Sequence, residues 1–373
     1  MIHSPTPRPQ PLAPFFSALF IERGEEETPM ARNVIAALPH LQPRIVEDPL
    51  AAEPPPGANR FSSGKRRLVL ARHRGRFLEH CPAGTSGLVC CNYLVISLGS
   101  NCPMDCRYCF LQSYLRDNPA LKVYTNPEDA LAEIGRVLRE HPEREFRVGT
   151  GELVDSLALD PLTKATRELV PFFAERRNGI LELKTKTAAI DNLLNLDGNG
   201  RVVVSWSLAP AAVVDSEEPG TASLDQRIQA AARVQRAGYK VGFHLDPLIE
   251  YPDWEAGYAD LLARLAAAID PAAVAWVSLG SLRLTPQLKA AMRERGPTRL
   301  LTGELVLSAD GKLRVWHGLR VKMYRSLAAH LRRWSDAFPL YLCMENAAVW
   351  RHVFAETPGD RELGRRLAAG AAW

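Results

Sequence analysis

From residue 93 onward, short apolar runs alternate with longer stretches in which apolar residues recur every three or four positions. The short runs at 93–98, 146–149, 180–184, 202–206, 240–245 and 274–279 predict strands, and the stretches between them predict amphipathic helices. Several helix boundaries are written into the chain. Asn126 and Asp160 each stand before a proline, which predicts an N-cap with proline in the first turn. Ser223 with Gln226 predicts a capping box, and Gly238 supplies a helix stop. Strand–helix units in series predict an α/β fold with parallel strands and right-handed crossovers. A six-stranded partial barrel and an open doubly wound sheet both satisfy the pattern. In either one, ligands bind at the carboxyl ends of the strands.

The flanks read differently. Residues 1–60 hold 12 of the 28 prolines and end in Pro54-Pro55-Pro56-Gly57, so this segment is expected to be largely irregular, with one helix over 30–38. Residues 61–92 form a basic, cysteine-containing lead-in with Lys65-Arg66-Arg67, Arg72-His73-Arg74-Gly75-Arg76, Cys81 and Cys90-Cys91. The strand–helix units occupy 93–318. Near their end, 302–307 and 312–316 flank Ser308-Ala309-Asp310-Gly311, a predicted hairpin. Residues 319–373 form a helical extension, basic over 319–334, with one short apolar run at 339–344.

Composition changes this picture little. The 373 residues are 46% hydrophobic and 24% charged, as in ordinary soluble proteins. A net charge of +4 permits an acidic partner without requiring one. Residues 1–14 lack the apolar core of a secretory signal, and the most apolar later stretch, 261–279, is broken by Arg264 and Asp270. A cytoplasmic protein with no membrane partner is expected. In a reducing compartment its seven cysteines point to metal or catalytic duty rather than disulfides.

The chemistry concentrates in Cys102-Pro103-Met104-Asp105-Cys106-Arg107-Tyr108-Cys109, directly after the first predicted strand. Three thiolates in the spacing Cys-x3-Cys-x2-Cys can each hold one iron of a [4Fe–4S] cube and leave the fourth iron open to a small molecule. A structural zinc site on Cys106 and Cys109 is the competing reading, but it wants a second ligand pair and none lies nearby. This loop, with an aromatic residue before its last cysteine, resembles that of the radical S-adenosylmethionine (SAM) enzymes. Gly149-Thr150-Gly151-Glu152, closing the second strand, is similar to the segment with which those enzymes hold the SAM amine.

A longer resemblance is to the spore photoproduct lyase family. It is carried by Cys109-Phe110-Leu111-Gln112-Ser113-Tyr114-Leu115, Val123-Tyr124-Thr125-Asn126, Asp160-Pro161-Leu162-Thr163, Thr185-Lys186, Glu218-Pro219-Gly220-Thr221, Ala237-Gly238-Tyr239-Lys240-Val241-Gly242-Phe243 and Trp254-Glu255-x-Gly257-Tyr258. That family are radical SAM enzymes that repair the methylene-bridged thymine dimer of UV-damaged DNA. The resemblance implies a (β/α)6 partial TIM barrel with N- and C-terminal additions. It also implies two cofactors, a [4Fe–4S] cluster on Cys102, Cys106 and Cys109, and SAM. SAM would be held by Gly149, Gly151 and Glu152, with Tyr108 near the adenine, Lys186 on the carboxylate and Ser205 near the ribose. An electron from a donor such as flavodoxin or ferredoxin would pass through the cluster and split SAM. The 5′-deoxyadenosyl radical so formed would take a hydrogen from substrate, with UV-damaged DNA as partner. Without the resemblance, Lys186 reads as a solvated strand-end lysine and Ser205 as a satisfied core hydroxyl.

This chain also departs from the family. The characterised lyases return a hydrogen atom through a cysteine after the second strand, relayed by a tyrosine directly after the last cluster cysteine. Here that tyrosine position is Phe110, and no cysteine lies between Cys109 and Cys343. The hydrogen must return another way, or the substrate differs (modified RNA or a small molecule). Of the spare thiols Cys81, Cys90, Cys91 and Cys343, the last follows an apolar run that could join the barrel and is the candidate donor. The alternatives are buried filler or a four-cysteine auxiliary cluster, for which adjacent Cys90-Cys91 is awkward geometry. His244 and Asp246 end the fifth strand and are candidates for touching substrate; Asp246 could equally cap the next helix. Arg320, Lys322, Arg325, Arg332 and Arg333 crowd one helix and suit either phosphate contacts or a solvated face. A non-catalytic nucleic-acid or Fe–S binding protein is the remaining reading.

Overall fold

The computed structural model describes residues 15–52, 59–81 and 87–372. Its strands, in chain order, are β1 (Ala18–Glu22), β2 (Pro43–Val46), β3 (Arg67–Ala71), β4 (Leu78–His80), β5 (Tyr93–Ile96), β6 (Gly99–Ser100), β7 (Leu121–Tyr124) and β8 (Phe146–Gly149). They continue as β9 (Gly179–Thr185), β10 (Val202–Ser207), β11 (Lys240–Leu248), β12 (Val274–Ser281), β13 (Arg283–Leu284), β14 (Leu305–Leu307), β15 (Leu313–Val315) and β16 (Leu340–Leu342). The strands predicted from residue 93 onward are β5, β8, β9, β10, β11 and β12, adjacent in that order and all parallel. The apolar run at 339–344 supplies β16, which adds a further parallel strand beside β12. An antiparallel strand, β4, covers the other edge at β5.

Alternation along the strands separates two environments. On β9, β10 and β11, Leu181, Leu183, Val204, Trp206, Phe243 and Leu245 join the main core. Their neighbours Glu182, Lys184, Ser205, Ser207, His244 and Asp246 point to the opposite face. That polar face is concave. β8 and β12 stand four places apart in the sheet, about 19 Å if it were flat at about 4.8 Å per strand. Yet the Arg147 guanidinium on β8 lies 4.9 Å from the Trp276 ring on β12 and 5.7 Å from the Tyr341 ring on β16. The sheet curls into a partial barrel, not an open doubly wound sheet.

The helix starts follow the sequence in part. Ser223 and Gln226 close the predicted capping box on the helix Leu224–Arg236, and Gly238 (φ +92°) ends it. Asn126 occupies the N-cap position before Pro127, but its side chain bonds His73 and Asp129 instead of the helix N–H groups. Asp160 belongs to a one-turn helix, Asp160–Thr163; its carboxylate takes the N–H and hydroxyl of Thr166, so it serves the start of the following helix.

The expectation of a largely irregular N-terminal segment is corrected over its described part. β1, β2 and β3 form a second sheet with β7 and β6, ordered β2-β1-β3-β7-β6, and the predicted helix spans Pro29–Ala37 with Thr28 as its cap. Phe16, Leu19, Ile21, Met30, Val34, Leu68, Leu70, Leu121 and Val123 share a core of their own. Proline did not prevent this, because Pro43 opens an edge strand and Pro29 sits in a first helical turn, both sites that need no N–H donor. Pro54-Pro55-Pro56-Gly57 lies outside the described residues. Among the described residues no helix is long and apolar enough to cross a membrane.

Candidate active site

Cys102, Cys106 and Cys109 occupy the loop between β6 and the one-turn helix Leu111–Tyr114. That loop has little regular structure, so its shape comes from what grips it. The N–H groups of Asp105 and Arg107 each donate at 2.8 Å, to the carbonyls of Pro219 and Glu217. Buried Lys65 donates to the Met104 carbonyl, and the Asp105 carboxylate takes Ser62 and Arg295, both at 2.7 Å. Gly220 passes against Met104 at φ +81°, a conformation that side-chain-bearing residues rarely adopt. Glu218-Pro219-Gly220-Thr221, known from the sequence only as a resemblance, is thus the rail under the cysteine loop.

The rail is itself fixed from beneath. Arg227 is fully buried and pairs with Glu218 at 2.5 Å while donating to the carbonyls of Ser207 and Ala222. Burial opposes ionisation of Glu218, but Arg227 and Lys186 outweigh it and lower its pKa. The Tyr108 hydroxyl donates to the same carboxylate, and Lys186 Nζ lies 5.7 Å from the Tyr108 ring. The backbone before Lys186 is held by Asp155, which accepts the Lys186 N–H at 2.8 Å and the Thr185 hydroxyl at 2.7 Å. The signal for Asp155 was faint, an acid a few residues past the Gly-x-Gly-Glu segment.

One cavity of about 370 Å³ opens over this arrangement. It is lined by Cys102, Cys106, Cys109, Tyr108, Gly151, Glu152, Asp155, Lys186 and Ser207, and also by Tyr93, Arg147, Lys184, Asp246, Tyr341 and Cys343. Gly151 belongs there because a Cβ would come within 2.8 Å of the Lys184 side chain. Two residues expected around SAM do not line the cavity. Gly149 sits below it, where a Cβ would lie 1.5 Å from the Tyr93 hydroxyl, so its hydrogen makes room for that ring. Ser205 is fully buried and gives its hydroxyl to Glu182 at 2.7 Å; Ser207, two residues on, is the serine that reaches the cavity. Strand alternation puts Ser205 and Ser207 on the same face, with Ser205 deeper.

The donor set fits a cluster better than a single ion. Among the described residues no three His, Cys, Asp or Glu side chains converge as they would on one metal ion, which disfavours zinc. A cube spreads its cysteine ligands further apart. Burial pushes the Cys102 thiol up to about 11 and raises Cys106 too, with Lys65 and Lys186 as opposing cations. Thiols in that setting become ligands only with a cationic centre to hold the charge. The four spare thiols divide by their place around the cavity. Cys81, Cys91 and Cys343 line the cavity and Cys90 does not.

A buried polar core forms part of the cavity lining through Glu182, His244 and Arg147. Glu182 accepts His244 Nε2–H at 2.6 Å, Ser205 at 2.7 Å and Trp276 at 3.3 Å, and Arg147 Nε stands 3.8 Å away. Burial resists its ionisation, but His244, Arg147 and Ser205 bring its pKa down to about 2. Burial together with Lys184 lowers the pKa of His244, so the imidazole is neutral, with Nδ1 bonded to the Ser278 hydroxyl at 2.7 Å. Asp246 does not cap a helix, since the next one begins at Trp254. It pairs with Arg283 at 2.9 and 3.0 Å, and this pairing, against burial, brings it to about 2. Arg283 Nη2 lies 3.8 Å from Cys343 Sγ. His244, Asp246 and Cys343 all line the cavity.

In the basic helix, observed as His317–Trp334, Arg333 is exposed and the other four named basic residues have partners. Arg320 is buried on Glu345 at 2.9 Å, Lys322 pairs with Glu255, Arg325 donates to the His352 carbonyl, and Arg332 reaches Asp336 at 3.6 Å.

Known proteins share this plan. A family model described as spore photoproduct lyase matches residues 82–304. A spore photoproduct lyase of Geobacillus sp. (strain Y412MC61) is 31% identical over 204 residues, 54% of this chain and 60% of the relative. One of Bacillus subtilis (strain 168) is 32% identical over 174 residues, 47% of this chain and 51% of the relative. The chain thus matches between half and three-fifths of the length of these curated relatives. A solved spore photoproduct lyase mutant superposes with a TM-score of 0.78 at 24% identity, covering 88% of this chain and 98% of that one. Another mutant, solved with bound AdoMet and dinucleoside spore photoproduct, gives 0.76 at 24%, covering 87% and 98%. These structures share its curled fold, and with the family model spanning more than half of its length this chain belongs to the spore photoproduct lyase family.

Proposed function

We propose that this protein is a radical SAM lyase that reverses a UV-derived pyrimidine dimer in DNA, with a hydrogen-return route of its own. The observation that carries the reading is that one cavity is lined both by the three loop thiols and by Cys343, Asp246 and Arg283. Cys102, Cys106 and Cys109 would hold a [4Fe–4S] cluster, which together with bound SAM would supply a 5′-deoxyadenosyl radical. Glu152 and Lys186 would take the amine and carboxylate of SAM, Tyr108 would face its adenine, and Ser207 replaces Ser205 as the hydroxyl for the ribose.

This chain's own residues divide the remaining work. Asp246 with Arg283 fixes the wall beside Cys343, whose S–H is the hydrogen source the cavity offers in place of the family's. Phe110 lines the cavity without a transferable hydrogen. His244, neutral and held between Glu182 and Ser278, is a positioning residue for that wall. An electron donor such as flavodoxin or ferredoxin would act from outside.

The test is anaerobic. Reconstituted protein with SAM and reductant should yield 5′-deoxyadenosine, and DNA carrying the methylene-bridged dimer should lose it. No 5′-deoxyadenosine with an intact cluster sinks the enzyme reading. Abundant 5′-deoxyadenosine with an untouched lesion favours the second reading, another substrate such as modified RNA, which the Phe110 position keeps in play. Iron should be lost entirely when all three loop cysteines are changed to alanine.

A further inference from the structure

The lead-in segment and β16 meet along the open edge of the barrel. Leu88 bridges Asn346 in antiparallel fashion, and the Val89 N–H donates to the Glu345 carbonyl at 3.0 Å. In an antiparallel pair each step forward on one chain is a step back on the other. Counted so from this isolated bridge, Cys91 and Cys343 each lie three residues away from it, although the pairing does not continue as a ladder, because Met344 turns left-handed (φ +59°) and the Cys90 N–H goes to Asp360. Both side chains line the cavity. The charge of Cys91 acts on Cys343 and on Tyr341 between them. Cys90 points away from the cavity, its N–H held by Asp360 at 2.9 Å. Each cavity thiol also has a guanidinium beside it, Arg147 Nη2 at 3.0 Å from Cys91 Sγ and Arg283 Nη2 at 3.8 Å from Cys343 Sγ.

We propose that Cys91 and Cys343 form a reversible dithiol–disulfide couple across the barrel seam, and that its oxidation removes the thiol hydrogen from the cavity. On oxidation two S–H bonds break and one S–S bond forms. The two electrons and two protons pass to a disulfide oxidant such as oxidised glutathione, which becomes two thiols; a dithiol reductant reverses the step. Burial and Asp246 raise the pKa of the Cys343 thiol although Arg283 opposes them, so exchange should quicken as pH rises. The couple's effect on turnover rests on the reading of Cys343 as hydrogen source, whereas the bond itself does not.

The cluster-loaded full chain is titrated anaerobically with oxidised glutathione, quenched with an alkylating agent and peptide-mapped without reduction. A Cys91–Cys343 cross-link is expected, reversed by dithiothreitol, absent from Cys91→Ser and from Cys343→Ser, and retained in Cys90→Ser. A bond from either residue to Cys81, a Cys90–Cys91 bond, stable glutathione on Cys343, or no bond overturns the proposal. Oxidised protein should still form 5′-deoxyadenosine while losing lesion reversal, and regain it on reduction. If the cross-link forms but the reduced protein reverses no lesion, the couple stands and the reading of its function falls.

Discussion

Glu182→Gln should cost about 3 kcal/mol of folding stability at neutral pH. Two figures bear on that size. The carboxyl falls from its ordinary 4.5 to about 2 in the folded chain, and each pH unit is worth about 1.4 kcal/mol. Part of that shift comes from Arg147, and a unit charge pair at their 3.8 Å separation is worth about 4 kcal/mol at an effective dielectric of about 20 before the cost of burial. The amide keeps the shape but loses the charge, and its NH2 group faces either Ser205 and His244 or Arg147, all donors. Because the folded pKa is depressed, the contribution is fully present above pH 4.5 and is lost as pH falls toward 2. Urea midpoints for both proteins, followed by tryptophan fluorescence from pH 7 to pH 3, read this directly. The gap should be about 3 kcal/mol at pH 7 and should shrink steadily below pH 4.5. A gap that is absent at pH 7, or that does not change with pH, refutes the argument that an ionised Glu182 anchors this core.

Other outcomes follow from the same geometry. Gly149→Ala drives a methyl group into the Tyr93 ring and should cost about 1–3 kcal/mol or more in thermal or urea unfolding; adding Tyr93→Ala should recover part of it, and a single variant as stable as the parent would contradict the packing. Glu218→Gln leaves Arg227 buried without its ion pair, about 3–5 kcal/mol, and should lower iron retained per chain after gel filtration; full retention would show that the rail does not hold the loop. Cys343→Ala should leave 5′-deoxyadenosine formation intact while correctly restored pyrimidine falls by at least about tenfold; unchanged repair would remove Cys343 as hydrogen source.

The barrel was legible because its signals are local and repeated. Each strand is an apolar run, and Ser223 with Gln226 marks a helix start whatever surrounds it. The N-terminal sheet was not legible, because β1 and β2 are four or five residues long and set among prolines, and only pairing with β3 and β7 makes them strands. In the site, the cysteine loop declares itself by spacing. Its supports do not: Lys65, Glu217 and Arg295 are scattered through the chain and share no pattern that a sequence displays. Ser205 shows the limit within a strand, where alternation gives the face but depth depends on how far the barrel closes. Arg320 shows another, since a basic residue in a basic helix turned out to be a buried partner of Glu345.

The grips on the cysteine loop run from Ser62 and Lys65 on one side to Arg295 on the other, with Glu217 and Pro219 between. Contacts that distant close late in folding, since each requires a long loop to be drawn together first. The three thiols therefore reach their final relation only after the chain through Arg295 has been made and folded. Before that they are three reactive groups on a slack segment. On the proposed reading a cluster would be loaded after folding, and oxidants would reach these thiols most easily during synthesis.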